Sequence, residues 1–357
     1  MIARDLTGEL QAAREYCARV TAGFDGERLL GPKLAIVNPP LWEIGHVGWF
    51  QEHWCLRWRG DGSLAEPILP GADALYDSSS VAHDTRWSLP LPALPATKAY
   101  LANVLERVLE RIRREPENES LRYFVRLCTL HEDMHSEAFH YTHQTLGYPD
   151  PVPWSGNEIP ENGDIECKGG TFRLGSERDS SKFVFDNEKW AHAVAVAPFR
   201  IARTPVTNAQ YLAYVEDGGK APRYWKKVDG AWMERRFSQW VPLKRDEPVR
   251  HVDWNEAQAW CRWAKRRLPT EAEWQFSNEK LSWGAAWEWT SSTFSPFPEF
   301  RADPYRDYSM PWFGSHKVLK GASFATPRRL VSAKFRNFYT AERGDVFAGF
   351  RTCRIDP

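Results

Sequence analysis

The chain lacks a net charge: Lys+Arg and Asp+Glu both number 47 in its 357 residues. No long-range attraction to nucleic acid or to an anionic membrane is expected from such a balance. It also lacks long apolar runs. Mean hydropathy is -0.56, and nothing approaches the roughly 20 consecutive apolar residues of a membrane-spanning helix. Paired cysteines are missing too. Cys17, Cys55, Cys128, Cys167, Cys261 and Cys353 are scattered with no C-x-x-C, which argues against a disulfide frame or a zinc ribbon. The start, MIARDLTGELQAAREYC, has no apolar stretch ending in small residues. A secretory leader is therefore not expected, and reduced thiols in the cytoplasm are.

Aromatics are abundant, with 18 Trp and 14% Phe, Trp and Tyr, and 42% of residues are hydrophobic. This composition excludes disorder and supplies a large core. At roughly 150 residues per domain the length suits two domains. Residues 1–150 read as helical. Helical spacing of apolar residues runs over Leu6–Leu30, over Pro40–Arg59 after a Pro39-Pro40 start, over Thr97–Arg114, and over Ser120–Leu146 up to Gly147. Four such segments predict a four-helix bundle. A long irregular link, GADALYDSSSVAHDTRWSLPLPALP, joins the second to the third, and loops of that length are usually functional. A Pro/Gly/Asn-rich boundary, YPDPVPWSGNEIPENGD, precedes residues 151–357. There, short strand-like runs (GGTFRLGS, HAVAVAPFRIAR, KVLKGASFAT, FAGFRTCRI) alternate with Trp-rich irregular segments and two short helices near Asn208–Glu216 and Asn255–Ala264. The whole reads as α+β.

The last helix of the first half carries His131-Glu-Asp-Met-His135. An i,i+4 spacing puts both imidazoles on one face, and the apolar seam Leu121, Phe124, Cys128 leads straight into them. Histidines in a core position need a partner to offset desolvation. The second helix repeats the oddity, with Trp42, His46, Trp49 and His53 along one seam. A three-nitrogen site of His46, His131 and His135 follows, suited to zinc or ferrous iron; His53 competes with His46 for the third place. HEDMH also matches the H-E-x-x-H pattern of metalloproteases, with Glu132 as base. That reading fits the helical context poorly, because Glu132 points off the seam. Ordinary hydrogen-bonded core histidines remain the plain alternative.

These residues support a family resemblance. The first half resembles the DinB-like helical domain. GGTFRLGS, PVTNAQYLAYVEDGG, PVRHVDWNEAQAWCRWAKRRLPTEAEWQF, WEWTSS, KVLKGASFAT and GFRTCR make the second resemble the formylglycine-generating (sulfatase-modifying) domain, which has a C-type-lectin-like fold. The pair resembles the ergothioneine-type sulfoxide synthases, O2-dependent non-haem Fe(II) enzymes that join sulfur to C2 of the hercynine imidazole. The resemblance implies His46, His131 and His135 as iron ligands. It implies Asn337, Phe338 and Tyr339 facing hercynine, and Arg343 on a carboxylate or other polar group of the donor. Aromatic faces suit a trimethylammonium group, and a forked Arg suits a carboxylate.

Departures refine the expectation. Formylglycine generators have paired cysteines near the end of the chain, where only Cys353 stands here. Phe297 and Phe300 occupy the segment where a catalytic tyrosine is expected in the sulfoxide synthases, and Tyr339 stands where an acidic residue is expected. The phrases IVNPPLWEIGH and ALYDSSSVAHDTRW look more like the selenoneine synthases, which couple a selenosugar to hercynine. On that resemblance Asp84 and Arg86 contact sugar hydroxyls, and no acid or base is assigned. The alternatives are a sulfoxide synthase using cysteine or γ-glutamylcysteine, another thiol-handling metalloenzyme on the same scaffold, and a non-catalytic lectin-like binder. The partners expected are small molecules (hercynine, a selenosugar or thiol donor, O2), with neither nucleic acid nor membrane.

Overall fold

The computed structural model describes residues 2–153 and 163–355. Most of the expected Pro/Gly/Asn-rich boundary, from 154 to 162, lies outside them. The chain forms two compact units, residues 1–152 and 153–357.

The helices of the first unit are α1 (Ile2–Val20), α2 (Pro40–Glu52), α3 (Ala72–Tyr76), α4 (Leu94–Arg114) and α5 (Glu119–Leu146). α1 stops ten residues before the periodicity does. Gly23 and Gly26 interrupt it, Gly26 at φ 48°, and Gly26–Leu29 form only a 3-10 turn. α2 starts with Pro40 in its first turn, where a missing N–H costs nothing. Every residue of α2 is buried; it is the central element, packed against α4 and α5 while α1 packs against α5. Its end widens into a π-helical turn over His53–Arg57. The Asn118 side chain caps α5 by accepting from the Leu121 N–H at 2.9 Å, and Gly147 closes it in the left-handed region. The long 71–95 link is not structureless: it contains α3 and a 3-10 turn at His83–Thr85. Among the described residues no helix is long and apolar enough to cross a membrane.

The second unit contains strands β1 (Asp164–Cys167), β2 (Gly170–Leu174), β3 (His192–Val196), β4 (Phe199–Ala202), β5 (Trp225–Val228), β6 (Ala231–Arg236), β7 (Gln239–Pro242), β8 (Arg266–Arg267), β9 (Ala286–Thr293), β10 (Lys317–Ala322), β11 (Asn337–Tyr339), β12 (Ala348–Phe350) and β13 (Cys353–Arg354). Its helices are α6 (Asn208–Glu216), α7 (Trp254–Trp263) and α8 (Glu271–Ser277). Two four-stranded sheets run β1-β4-β13-β8 and β11-β10-β9-β12, with a β2-β3 hairpin and a β5-β6-β7 meander beside them. The meander, α8 and strands β1, β8, β9 and β11 are additions to the pattern read from sequence. β12 lies parallel to β9, and β10 antiparallel to it. Gly349 is required there, since a Cβ would meet the Val249 carbonyl oxygen at 2.2 Å. Glu288 of β9 and Arg351 form an ion pair at 2.5 Å with both side chains fully buried. The WEW and GFR phrases thus meet in the core.

Candidate metal centre

α2 and α5 bring three imidazoles together. One donor nitrogen from each of His46, His131 and His135 lies within 4.8 Å of the others. The Nε2 atoms of His131 and His135 are 3.2 Å apart. Ring centroids are 5.2 Å apart for His46–His131, 5.0 Å for His46–His135 and 4.5 Å for His131–His135. Nitrogens at that Nε2 separation, each about 2.1 Å from one ion, subtend roughly 100° at it, between octahedral and tetrahedral values. His46 and His131 are buried, while His135 keeps some exposure.

The second nitrogens decide which tautomer is present. His46 Nδ1 lies 2.8 Å from the Tyr76 carbonyl oxygen, and His135 Nδ1 lies 2.7 Å from Glu43 Oε1. A carbonyl or a carboxylate can only accept, so both Nδ1 atoms carry the proton and both Nε2 atoms present lone pairs. This is how metal-binding histidines are oriented in general. Trp42 stacks on His46 at 5.0 Å and 9°, and Phe50 stacks on His131 at 3.6 Å and 9°. Burial holds the His46 and His131 pKa values well below the ordinary imidazole range, and the neighbouring imidazoles add to this. Neutral nitrogens are the form a cation needs. The donor set therefore fits a divalent transition metal such as zinc or ferrous iron.

His53 is not part of the cluster; its ring lies against Trp49 and Trp54. Glu132 also faces away, bound by Arg14 of α1 at 2.6 Å, so it is not a base for a metal-bound water. The 71–95 link contributes inward. Tyr76 supplies its carbonyl to His46, and its ring lies over Gly45, where a Cβ would meet it at 2.3 Å. His83 Nε2 donates to the Val37 carbonyl at 2.8 Å, and Trp87 Nε1 to Leu30 O at 3.1 Å. Asp84 is exposed, whereas Arg86 is buried, with its guanidinium 3.8 Å over the Trp42 ring. The two residues expected to share a sugar thus face different surroundings. Sequence reasoning named neither Glu43 nor the Tyr76 carbonyl as a partner of the cluster.

In the second unit, Asn337, Phe338 and Tyr339 form β11, at the edge of its sheet. Strand alternation puts Phe338 on the opposite face from the other two. Phe338 stacks on Phe294 at 4.1 Å and 11°. The Arg343 guanidinium lies 4.9 Å over the Tyr339 ring, and its fork holds the buried Asp345 at 2.7 and 2.9 Å. Phe297 is buried beneath the Arg336 guanidinium, 4.0 Å above its ring, and Phe300 abuts Phe313. Burial pushes the Cys353 thiol up to about 12, which leaves it an unreactive packing residue.

Comparison with known proteins agrees with this two-part construction. Residues 9–138 match the DinB superfamily, and residues 154–280 match the sulfatase-modifying factor enzyme 1-like domain. Over its length the chain is similar to the hercynine oxygenase of Mycolicibacterium smegmatis, 30% identical across 98% of this chain and 99% of that one. It is 29% identical to the hercynine oxygenase of Mycolicibacterium thermoresistibile, across 97% and 94%. The formylglycine-generating enzyme of Streptomyces coelicolor is 25% identical, across 53% of this chain and 88% of that one.

Proposed function

The chain belongs to the hercynine oxygenase family, and from that premise we propose that it is a non-haem Fe(II), O2-dependent enzyme that forms a carbon–selenium bond at C2 of the hercynine imidazole, with a selenosugar as donor. The observation that carries the metal reading is the pair of locked tautomers, which leave the lone pairs of His46 and His135 available beside His131. Ferrous iron, when bound there, supplies oxygen activation and one-electron chemistry. The three imidazoles hold it, Glu43 and the Tyr76 carbonyl orient two of them, and Trp42 and Phe50 wall the cluster against water. In the proposal the helical unit, a four-helix bundle over residues 1–150, is the metal-holding part. The unit over residues 151–357, of C-type-lectin-like fold, contributes Asn337, Tyr339 and Arg343 to holding the small-molecule substrates, with Phe338 supporting β11 from its other face through Phe294. The Tyr339 ring suits the trimethylammonium of hercynine.

The selenium donor is favoured over a thiol by the residues of the second unit. Phe297 and Phe300 carry no phenol to give up a proton or an electron, and Tyr339 offers no carboxylate to the ammonium of a γ-glutamylcysteine. The test is an aerobic assay of the iron-loaded protein with hercynine and either a selenosugar, cysteine or γ-glutamylcysteine. Coupled product from the selenosugar in preference to the thiols is expected. Turnover with the thiols alone reassigns the chain to sulfoxide synthesis, and ligand binding without iron uptake or turnover makes it a binder.

A further inference from the structure

Arg86 has three kinds of partner. One terminal nitrogen donates to Asn38 Oδ1 at 2.7 Å; the other reaches the Val81 and Ser78 carbonyls at 3.1 and 3.5 Å; the guanidinium plane covers Trp42. Asn38 passes the order on. An arginine only donates, so it must face the amide oxygen, and the Asn38 NH2 is left to donate to Glu43 Oε2 at 3.3 Å. Glu43 Oε1 then accepts from His135 Nδ1 at 2.7 Å. Without the arginine the Asn38 amide can rotate, and Glu43 loses a fixed donor on its far oxygen. The same guanidinium lies 3.8 Å over the Trp42 ring, which in turn stacks on His46.

We propose that Arg86 is a positioning residue for the metal centre, acting through Asn38 and Glu43 on His135 and through Trp42 on His46. This rests on the reading that the triad holds a metal. It turns the 71–95 link into a strap: Tyr76 secures His46 by its carbonyl, and Arg86 secures His135 through the side chains of Asn38 and Glu43.

The test is anaerobic titration of the full-length chain with Fe(II) and with Co(II), following affinity by chelator competition and geometry by the visible Co(II) spectrum. The chains compared are wild type, Arg86→Met, Arg86→Lys, Asn38→Leu, the Arg86→Met/Asn38→Leu double variant and His131→Ala. Arg86→Met is expected to weaken metal binding by up to about tenfold, the low end of what loss of a ligand's direct hydrogen-bonding partner causes, and to shift the Co(II) bands. Asn38→Leu should reproduce much of that effect, the double variant should be little worse than either, and Arg86→Lys should recover part. Wild-type affinity and spectrum in Arg86→Met overturn the role of Arg86. So do fully additive losses in the double variant, or weaker binding that follows apo-protein melting with an unchanged spectrum. If Arg86→Met does not fold, Asn38→Leu and Arg86→Lys carry the same comparison. Wild type that takes up no more metal than His131→Ala overturns the metal reading itself.

Discussion

A histidine serves a cation only through a nitrogen that has no proton, and here the neighbours of two of the three rings decide which nitrogen that is. Adjacent residues of the same helix therefore have opposite fates on mutation. His131→Ala is expected to abolish iron uptake, as read by metal analysis after anaerobic loading. Glu132→Ala should leave uptake near wild type while lowering stability by about 3–5 kcal/mol in urea unfolding, because Arg14 loses its buried partner. Loss of iron in Glu132→Ala at a temperature where the protein remains folded would revive Glu132 as part of the site. His46, His131 and His135 were legible in the sequence because polar rings interrupt apolar seams. Glu43 was not, since an acid in the first turn of a helix is an ordinary complement to the helix dipole. Arg86 and Asp84 look alike in a polar loop; only the path of the backbone separates the buried one from the exposed one.

Among the elements, α2 has the tightest requirements, because all thirteen of its residues are buried. Gly45 gives room to the Tyr76 ring, and Gly48 gives room to Leu101, whose Cδ1 would lie 2.7 Å from an added Cβ. Both alanine variants should lose about 1–3 kcal/mol by overpacking. Gly45→Ala should also weaken metal binding about tenfold, since displacing Tyr76 moves the carbonyl that orients His46; Gly48→Ala should not. Urea unfolding beside a chelator competition separates the two, and equal metal affinity in both variants would refute the link. Helix boundaries followed readable chemistry at Pro40, Asn118 and Gly147. The π-helical turn at His53–Arg57 had no such mark, because an inserted residue leaves composition and capping unchanged.

For the molecule as a whole, the two styles of sequence grammar correspond to two units with separate cores. Period and punctuation revealed the long helices and strands β2, β3, β4, β10, β12 and β13, but not β9, whose WEW run is buried on both faces and shows no alternation. The β5-β6-β7 meander escaped because its alternation is mixed with charged residues on a half-exposed surface, and α8 because seven residues give too few turns for a period. Acid should weaken the helical unit in a defined window. Burial, joined at His143 by the neighbouring His140, lowers both His140 and His143 from the ordinary 6.5 to about 4. The unfolded chain therefore binds more protons between those values. The stability these rings contribute is full above about pH 6.5 and declines as pH falls toward 4, by on the order of 3 kcal/mol each. Urea midpoints of the metal-free protein, followed by helical circular dichroism, should be clearly lower near pH 5 than near pH 7; equal midpoints would contradict it. The Tyr76 oxygen on His46 belongs to the main chain, so no substitution can delete it. Evolution can rewrite the letter at that position wherever another flat group fills the space, yet it cannot reroute the peptide there without misaiming His46. Constraint of this kind falls on trajectory, and a catalogue of invariant side chains would pass over it.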